Sequence, residues 1–237
     1  MVMNIVEQHY PGSSEEDAFI GMTAATLASL EFNGENTLPI LSICRDEICA
    51  SFVSAAEDHW GNSFTLGGLA GLPFGGKTGM GAASHHAPDI HDRERFVIYA
   101  MAHIGFGPEG EVGGCVRPGM KDVNGACGAL IGYTGLLNES NTETTIYADD
   151  AEFGLLKQRM AKVVPEGAAD LLAVTNSALT AIQHDIANLA ANVINAEKAD
   201  YAVFTGTQIH LSDRNLVHPS KSWVVIDGQQ QGIDLNA

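Results

Sequence analysis

The sequence predicts an α/β fold with a mainly parallel central sheet flanked by helices, and three observations predict it. β-rich runs recur at Thr37–Ile43, Phe96–Ala102 and Tyr201–Leu211, and the first reads as a strand buried on both faces. Between them lie segments whose apolar residues fall three or four apart, the period of a helix laid on a sheet. Strands and helices that alternate in this way build parallel sheets with right-handed crossovers.

The elements follow in order. Ser13 stands three residues before Glu16 in the pattern of a capping box, and Ala18, Ile20, Met22, Ala25, Leu27 and Leu30 continue a helix that Asn33-Gly34 ends. Thr37–Ile43 is the first buried strand. Ile48, Phe52, Val53 and Ala56 then mark one face of a helix. Seven glycines between Gly67 and Gly81 predict a loop whose backbone approaches something closely. The turn His91–Arg95 leads into Phe96–Ala102, which stops at His103-Ile104-Gly105. A second glycine-rich stretch, Gly105 to Gly125, reads as a long loop of the kind that is functional or disordered. Cys127-Gly128-Ala129-Leu130 opens a helix that runs to Leu137, so Cys127 falls in its first turn, where backbone N–H groups and the helix dipole lower a thiol's pKa. Asp150 to Val163 is an amphipathic helix, and a longer one follows the Pro165-Glu166-Gly167 break. On it Leu172, Leu179, Ile182, Ile186, Leu189 and Val193 form a stripe read first as core and second as a dimer seam. Tyr201–Leu211 and Trp223–Ile226 close the chain as strands.

Composition bounds the function. The 237 residues are 45% hydrophobic, enough for one core, so a single α/β domain over 1–237 is expected. A formal charge of -17 repels nucleic acid and anionic membrane surfaces. No stretch resembles a membrane span or a signal peptide, so the expected location is cytoplasmic, or plastid if a transit peptide has been removed. Four cysteines, Cys44, Cys49, Cys115 and Cys127, are too few for a disulfide scaffold and point to burial, metal or catalysis.

Two constellations carry chemistry. Gly71 to Thr78 fits the pattern of a phosphate-cradling P-loop, with Trp223-Val224-Val225-Ile226-Asp227 as its magnesium strand. A P-loop needs a long helix starting at its Lys and Thr, whereas Thr78 is followed by Gly79-Met80-Gly81 and a His-His-Ala-Pro run, so the match reads as accidental. The second constellation is Cys44, His103 and Cys127. Two thiolates and an imidazole form a three-ligand set for catalytic zinc that leaves a position for water. Two of them close strands and one opens a helix, so they can converge at one sheet edge. Taken singly, Cys44 and His103 also fit buried structural roles, Cys49 reads as a small buried hydrophobe, and Cys115 rivals for the third ligand position.

Several blocks together carry a family resemblance. Cys44-Arg45-Asp46-Glu47, Leu72 to Gly79 with Ser84-His85-His86, and His103-Ile104-Gly105 form its first half; Ala126 to Leu130 and Thr205 to His210 form its second. In this order, between about Leu38 and Val225, they resemble the limiting-CO2-inducible protein B family, which is similar in fold and zinc site to β-class carbonic anhydrases. The resemblance implies a β-carbonic-anhydrase-like fold, a homodimer and reversible hydration of CO2 to bicarbonate, with hydroxide at the metal attacking CO2. It implies Zn2+ on Cys44, His103 and Cys127, with Asp46 either paired to an arginine or turned onto the metal. Zinc brings the pKa of bound water from about 16 to about 7. In β-class enzymes the arginine follows the aspartate by two positions, but here that position is Ile48, so Arg45 is expected to take the role, with Arg117 as the alternative. His85 and His86 are the candidates for carrying the released proton. The rival readings are a catalytically silent zinc-bearing scaffold or regulatory subunit, in which Asp46 closes the site, a P-loop phosphohydrolase, and a metal-free thiol enzyme using Cys127.

Overall fold

The most continuous apolar runs lie at the centre of one sheet. The computed structural model describes residues 2–88, 90, 93–141, 143–167 and 170–235; of the turn expected at His91–Arg95, residues 91 and 92 fall outside them. The chain begins α1 (Val2–His9), β1 (Ser14–Glu15), α2 (Glu16–Ala28), β2 (Thr37–Ser42), α3 (Ala50–Trp60), β3 (Phe64–Thr65), α4 (Gly76–Ala83) and β4 (Glu94–Gly105). It continues β5 (Gly114–Val116), β6 (Val123–Gly125), α5 (Gly128–Asn138), α6 (Ala151–Met160), α7 (Leu171–Val193), β7 (Ala199–His210), β8 (Asn215–Ile226) and β9 (Gln229–Gly232).

The sheet order is β1-β8-β7-β4-β2-β3, with β9 on β8. Strands β3, β2, β4 and β7 are parallel, while β8 returns antiparallel and carries β1 and β9. Every residue of β7 is buried, and every residue of β4 after Glu94. A strand covered on both faces shows no alternation of wet and dry residues, and the polar side chains these two carry, such as His103, Asp200 and Gln208, are buried with the rest. Around Tyr99, Phe19 of α2, Phe52 of α3 and Phe204 of β7 form an aromatic cluster, with Phe52 edge-on at 5.5 Å and Phe204 stacked at 5.6 Å. The buried Tyr99 hydroxyl accepts from Trp60 Nε1 at 3.0 Å and lies 2.6 Å from Thr23 Oγ1, so the polar atom in this core is satisfied. Helix α7 packs on β4, and of its stripe Leu179, Ile182 and Ile186 are buried in the core while Leu172, Leu189 and Val193 are half-buried against apolar clusters, in line with reading the stripe as core.

Three local expectations are corrected. Ser13 does not cap α2: its hydroxyl donates to Tyr10 O at 2.6 Å, and β1 occupies the two residues before the helix. The glycine-rich stretch from Gly67 to Gly81 is only partly loop, because it contains a short 3-10 turn at Leu69–Gly71 and all but the last two residues of α4. Its glycines are there for contact: a Cβ on Gly71, at φ +81°, would stand 2.0 Å from Met101 O, and one on Gly67 2.2 Å from Ile43 O. The loop Gly105–Gly125 holds the β5–β6 hairpin. The two halves of the P-loop pattern are not brought together. Lys77 lies on α4, three strands (β7, β4 and β2) separate β8 from the β3 edge, and Asp227 ion-pairs with Arg93 at 2.9 Å.

Candidate metal centre

The carboxyl ends of β2 and β4 lie side by side, since Ser42 pairs with Ala100 in register. Two residues past β2, Cys44 reaches the edge of the sheet, and His103 rises near the end of β4. Cys127 stands at the cap of α5, held near β4 by Gly105 N donating to Ala126 O at 3.0 Å. The two sulfurs and an imidazole nitrogen all lie within 4.8 Å of one another, and all three residues are buried. Both nitrogens of His103 lack a hydrogen-bond partner among the described residues. Buried imidazoles are otherwise paired, so an unpartnered one facing two sulfurs fits a thiophilic ion of the zinc type.

The two thiols differ in charge. The Cys127 thiol donates to Cys44, and with the nearby His103 this holds Cys44 down at about 4 despite burial. That same contact, together with burial, pushes Cys127 up, although the N–H groups of Leu130 and Ala129 pull it the other way. The expected lowering by the helix terminus is therefore outweighed by the Cys44 thiolate beside it. Without metal, Cys127 is the protonated member, which weakens the reading of it as a metal-free nucleophile.

Asp46 caps the 3-10 turn Glu47–Cys49 and accepts two bonds from Arg117, Nη1 to Oδ1 at 2.6 Å and Nη2 to Oδ2 at 3.0 Å. Arg117 also donates to Glu47 and, at 2.7 Å, to Gly125 O. Burial pushes the Asp46 carboxyl up, but Arg117, with His103 nearby, prevails and holds it at about 2. The arginine paired with Asp46 is thus Arg117 and not Arg45. Adjacent side chains in this turn diverge, and Arg45, with 63% of its side chain exposed, points outward to Glu152 of α6 at 2.6 Å. His85 and His86 are exposed at the end of α4, the latter with its ring 5.7 Å from Phe64. Neither joins a Cys/His group or bonds to Asp46 among the described residues. Cys115, in β5, is buried and lines a cavity of about 380 Å³ with Glu47 and His210, outside the ligand set.

The sequence reading left two groups without a role. His210 ends β7 as His103 nearly ends β4, and their rings meet edge-on at 5.2 Å. Its Nε2 lies 3.6 Å from Cys49 Sγ and its Nδ1 2.9 Å from Asn215 Oδ1. Burial and the neighbouring His103 push His210 down to about 3, so it is neutral. The signal was present in Thr205–His210, a second strand that finishes on a metal-capable side chain, like Phe96–His103. Gln208, on the same face, donates to the buried Glu16 at 3.3 Å.

Known proteins share this architecture. The crystal structure of limiting CO2-inducible protein LCIB superposes with a TM-score of 0.81 at 30% identity, covering 96% of each chain. That of PtLCIB4, a homolog of LCIB, gives 0.85 at 22% identity, covering 98% of each. No curated protein sequence matches the chain. The model of the limiting CO2-inducible proteins B/C β-carbonic anhydrases matches residues 13–226, and the chain belongs to that family.

Proposed function

We propose that this chain, as one domain over residues 1–237, is a zinc-dependent carbonic anhydrase that interconverts CO2 and bicarbonate. Cys44, His103 and Cys127 would hold the Zn2+. When bound, zinc supplies a Lewis acid that brings water into the range of deprotonation near pH 7. The observation that carries the reading is the two-point pairing of Asp46 with Arg117 beside this donor set. Arg117 keeps the carboxylate ionised and turned away from the sulfurs, so a ligand position is left open to solvent or substrate. An ionised Asp46 accepts a hydrogen bond from the attacking water and so orients its lone pair toward CO2. The silent-scaffold reading requires Asp46 on the metal, and the pairing with Arg117 favours the enzyme. His85 and His86 have no place in this proposal, and Arg45 has none as the partner of Asp46.

A homodimer and a cytoplasmic or plastid location remain part of the proposal on family grounds. Among the described residues no helix is long and apolar enough to cross a membrane. The test pairs metal analysis with stopped-flow CO2 hydration of the native chain and Cys44→Ser. One zinc per chain, with hydration lost in the variant, supports the enzyme. A zinc-loaded native chain no faster than the uncatalysed reaction assigns the scaffold role instead, and a chain that retains no zinc overturns both.

A further inference from the structure

Cys49, His103 and His210 form a second group of three ligand atoms, all buried and all within 4.8 Å of one another, and it shares only His103 with the first. The ring of His210 is oriented from behind. Asn215 Nδ2 donates to Ile48 O at 3.5 Å and contacts Ser51 Oγ at 2.8 Å. A carbonyl only accepts, so the amide nitrogen must face that side and Oδ1 must face His210 Nδ1 at 2.9 Å. Nδ1 therefore carries the proton, and the lone pair of Nε2 points to Cys49 Sγ, 3.6 Å away. That is the tautomer a metal ligand needs, with its other nitrogen anchored. His103 supplies an independent sign: both its nitrogens are buried without partners among the described residues, and an ion on Cys44 and Cys127 engages only one.

The second group also has an approach of its own. The cavity of about 380 Å³ is lined by His210, Ser51 and Asn215, with Cys49 and His103 behind His210, and Cys44 and Cys127 do not line it. An ion arriving from this side meets His210 first. We propose that Cys49, His103 and His210 are a second seat for a thiophilic divalent ion such as Zn2+ or Co2+, from which the ion passes across His103 to Cys44 and Cys127. Binding there replaces the proton on Cys49, which leaves to solvent. The inference rests on Cys44, His103 and Cys127 being the final metal seat, and not on CO2 hydration.

The test uses the metal-stripped, reduced full chain. Cys44→Ser with Cys127→Ser, titrated with Co2+, is expected to bind one equivalent with a thiolate charge-transfer band, and adding Cys49→Ser abolishes the band. A double variant that folds, by circular dichroism, yet shows no such band overturns the second seat. So does a band that survives Cys49→Ser, which would assign the thiolate to Cys115. Should the double variant not fold, uptake of one equivalent of Zn2+ by the otherwise native chain decides. Cys49→Ser and His210→Gln are each expected to slow uptake by about tenfold while the final stoichiometry stays that of the native chain. Unchanged uptake, or a lower final stoichiometry, overturns the transfer and leaves these residues as supports of the first seat. A chain with no CO2 hydration but with these bands sinks the proposed activity and leaves the second seat standing.

Discussion

Arg117 clamps Asp46 through both carboxylate oxygens, at 2.6 and 3.0 Å, from a position seventy-one residues further along the chain. The clamp occupies both carboxylate oxygens of Asp46, and its loss frees the carboxylate to compete for any bound metal. Arg117→Ala is expected to lower CO2 hydration by about tenfold or more while zinc content stays at the native level. Stopped-flow assays with metal analysis on the same samples check both halves. Activity within twofold of the native chain, on the order of assay scatter, would remove the clamp from the mechanism. Arg45→Ala breaks an exposed pair with Glu152 and is expected to change stability by less than about 1 kcal/mol in urea unfolding.

The three metal-type ligands were legible because each ends or begins an element: the apolar runs before Cys44 and His103 stop abruptly, and Cys127 opens a helix. Arg117 is only the second choice for Asp46 in the sequence because it sits in a glycine-rich segment without periodicity, and nothing local ties it to a partner so far away. Arg45 was favoured by adjacency, yet neighbouring side chains point apart and Glu152 was nearer to hand. His210 lay inside a block that had been noticed, but its meaning depends on β7 pairing with β4, which puts it against His103. The two glycine-rich stretches were read as loops because helix propensity speaks against glycine, whereas close contact with strand ends decides their structure.

Gly71 offers a sharp test of that contact. Gly71→Ala meets a positive φ of +81° and a carbonyl, Met101 O, at 2.0 Å, both backbone-imposed and neither relieved by a side-chain rotation. The expected cost is about 3 kcal/mol or more by denaturant unfolding. Gly12→Ala has a similar φ of +71° but open space around it, and should cost only about 1 kcal/mol. Equal losses at the two sites would show that the close approach at Gly71 is dispensable.

Asp200 gives stability a defined acid dependence. It is buried at the start of β7 and accepts from Arg93 Nε at 2.7 Å and from Asp227 N at 3.0 Å. Burial pushes its carboxyl up, but Arg93 and the Asp227 N–H outweigh this and leave it below the usual carboxylate range. A carboxyl lowered on folding contributes its full stability above the unfolded value of about 3.9, and loses it as pH falls through the lower folded value. The native chain is therefore expected to lose stability below about pH 4 partly through Asp200. Asp200→Asn should be less stable at pH 7 by about 1 to 2 kcal/mol, an amount discounted for the partial exposure of Arg93. Its curve should converge on the native one in acid. Parallel curves from pH 7 to pH 2.5, roughly the acid limit of such a titration, would assign the effect to packing.

Metal removal bears most directly on the candidate centre. His103 lies fully buried with two nitrogens that have no partner among the described residues, so the metal-free site holds polar atoms that folding leaves without satisfaction. An ion bound only by the folded chain adds RT ln(1 + [L]/Kd), about 4 kcal/mol when the free metal exceeds Kd a thousandfold. Stripping the chain with a chelator under reducing conditions is expected to lower the thermal midpoint, and adding Zn2+ back should restore it. His103→Phe separates the two contributions. It removes the buried polar atoms and one ligand together, so its stability should no longer respond to Zn2+, while its metal-free form should not fall below the native metal-free chain by more than about 1.5 kcal/mol. A native chain whose midpoint ignores both chelator and Zn2+ would mean that the three residues hold no ion of this class.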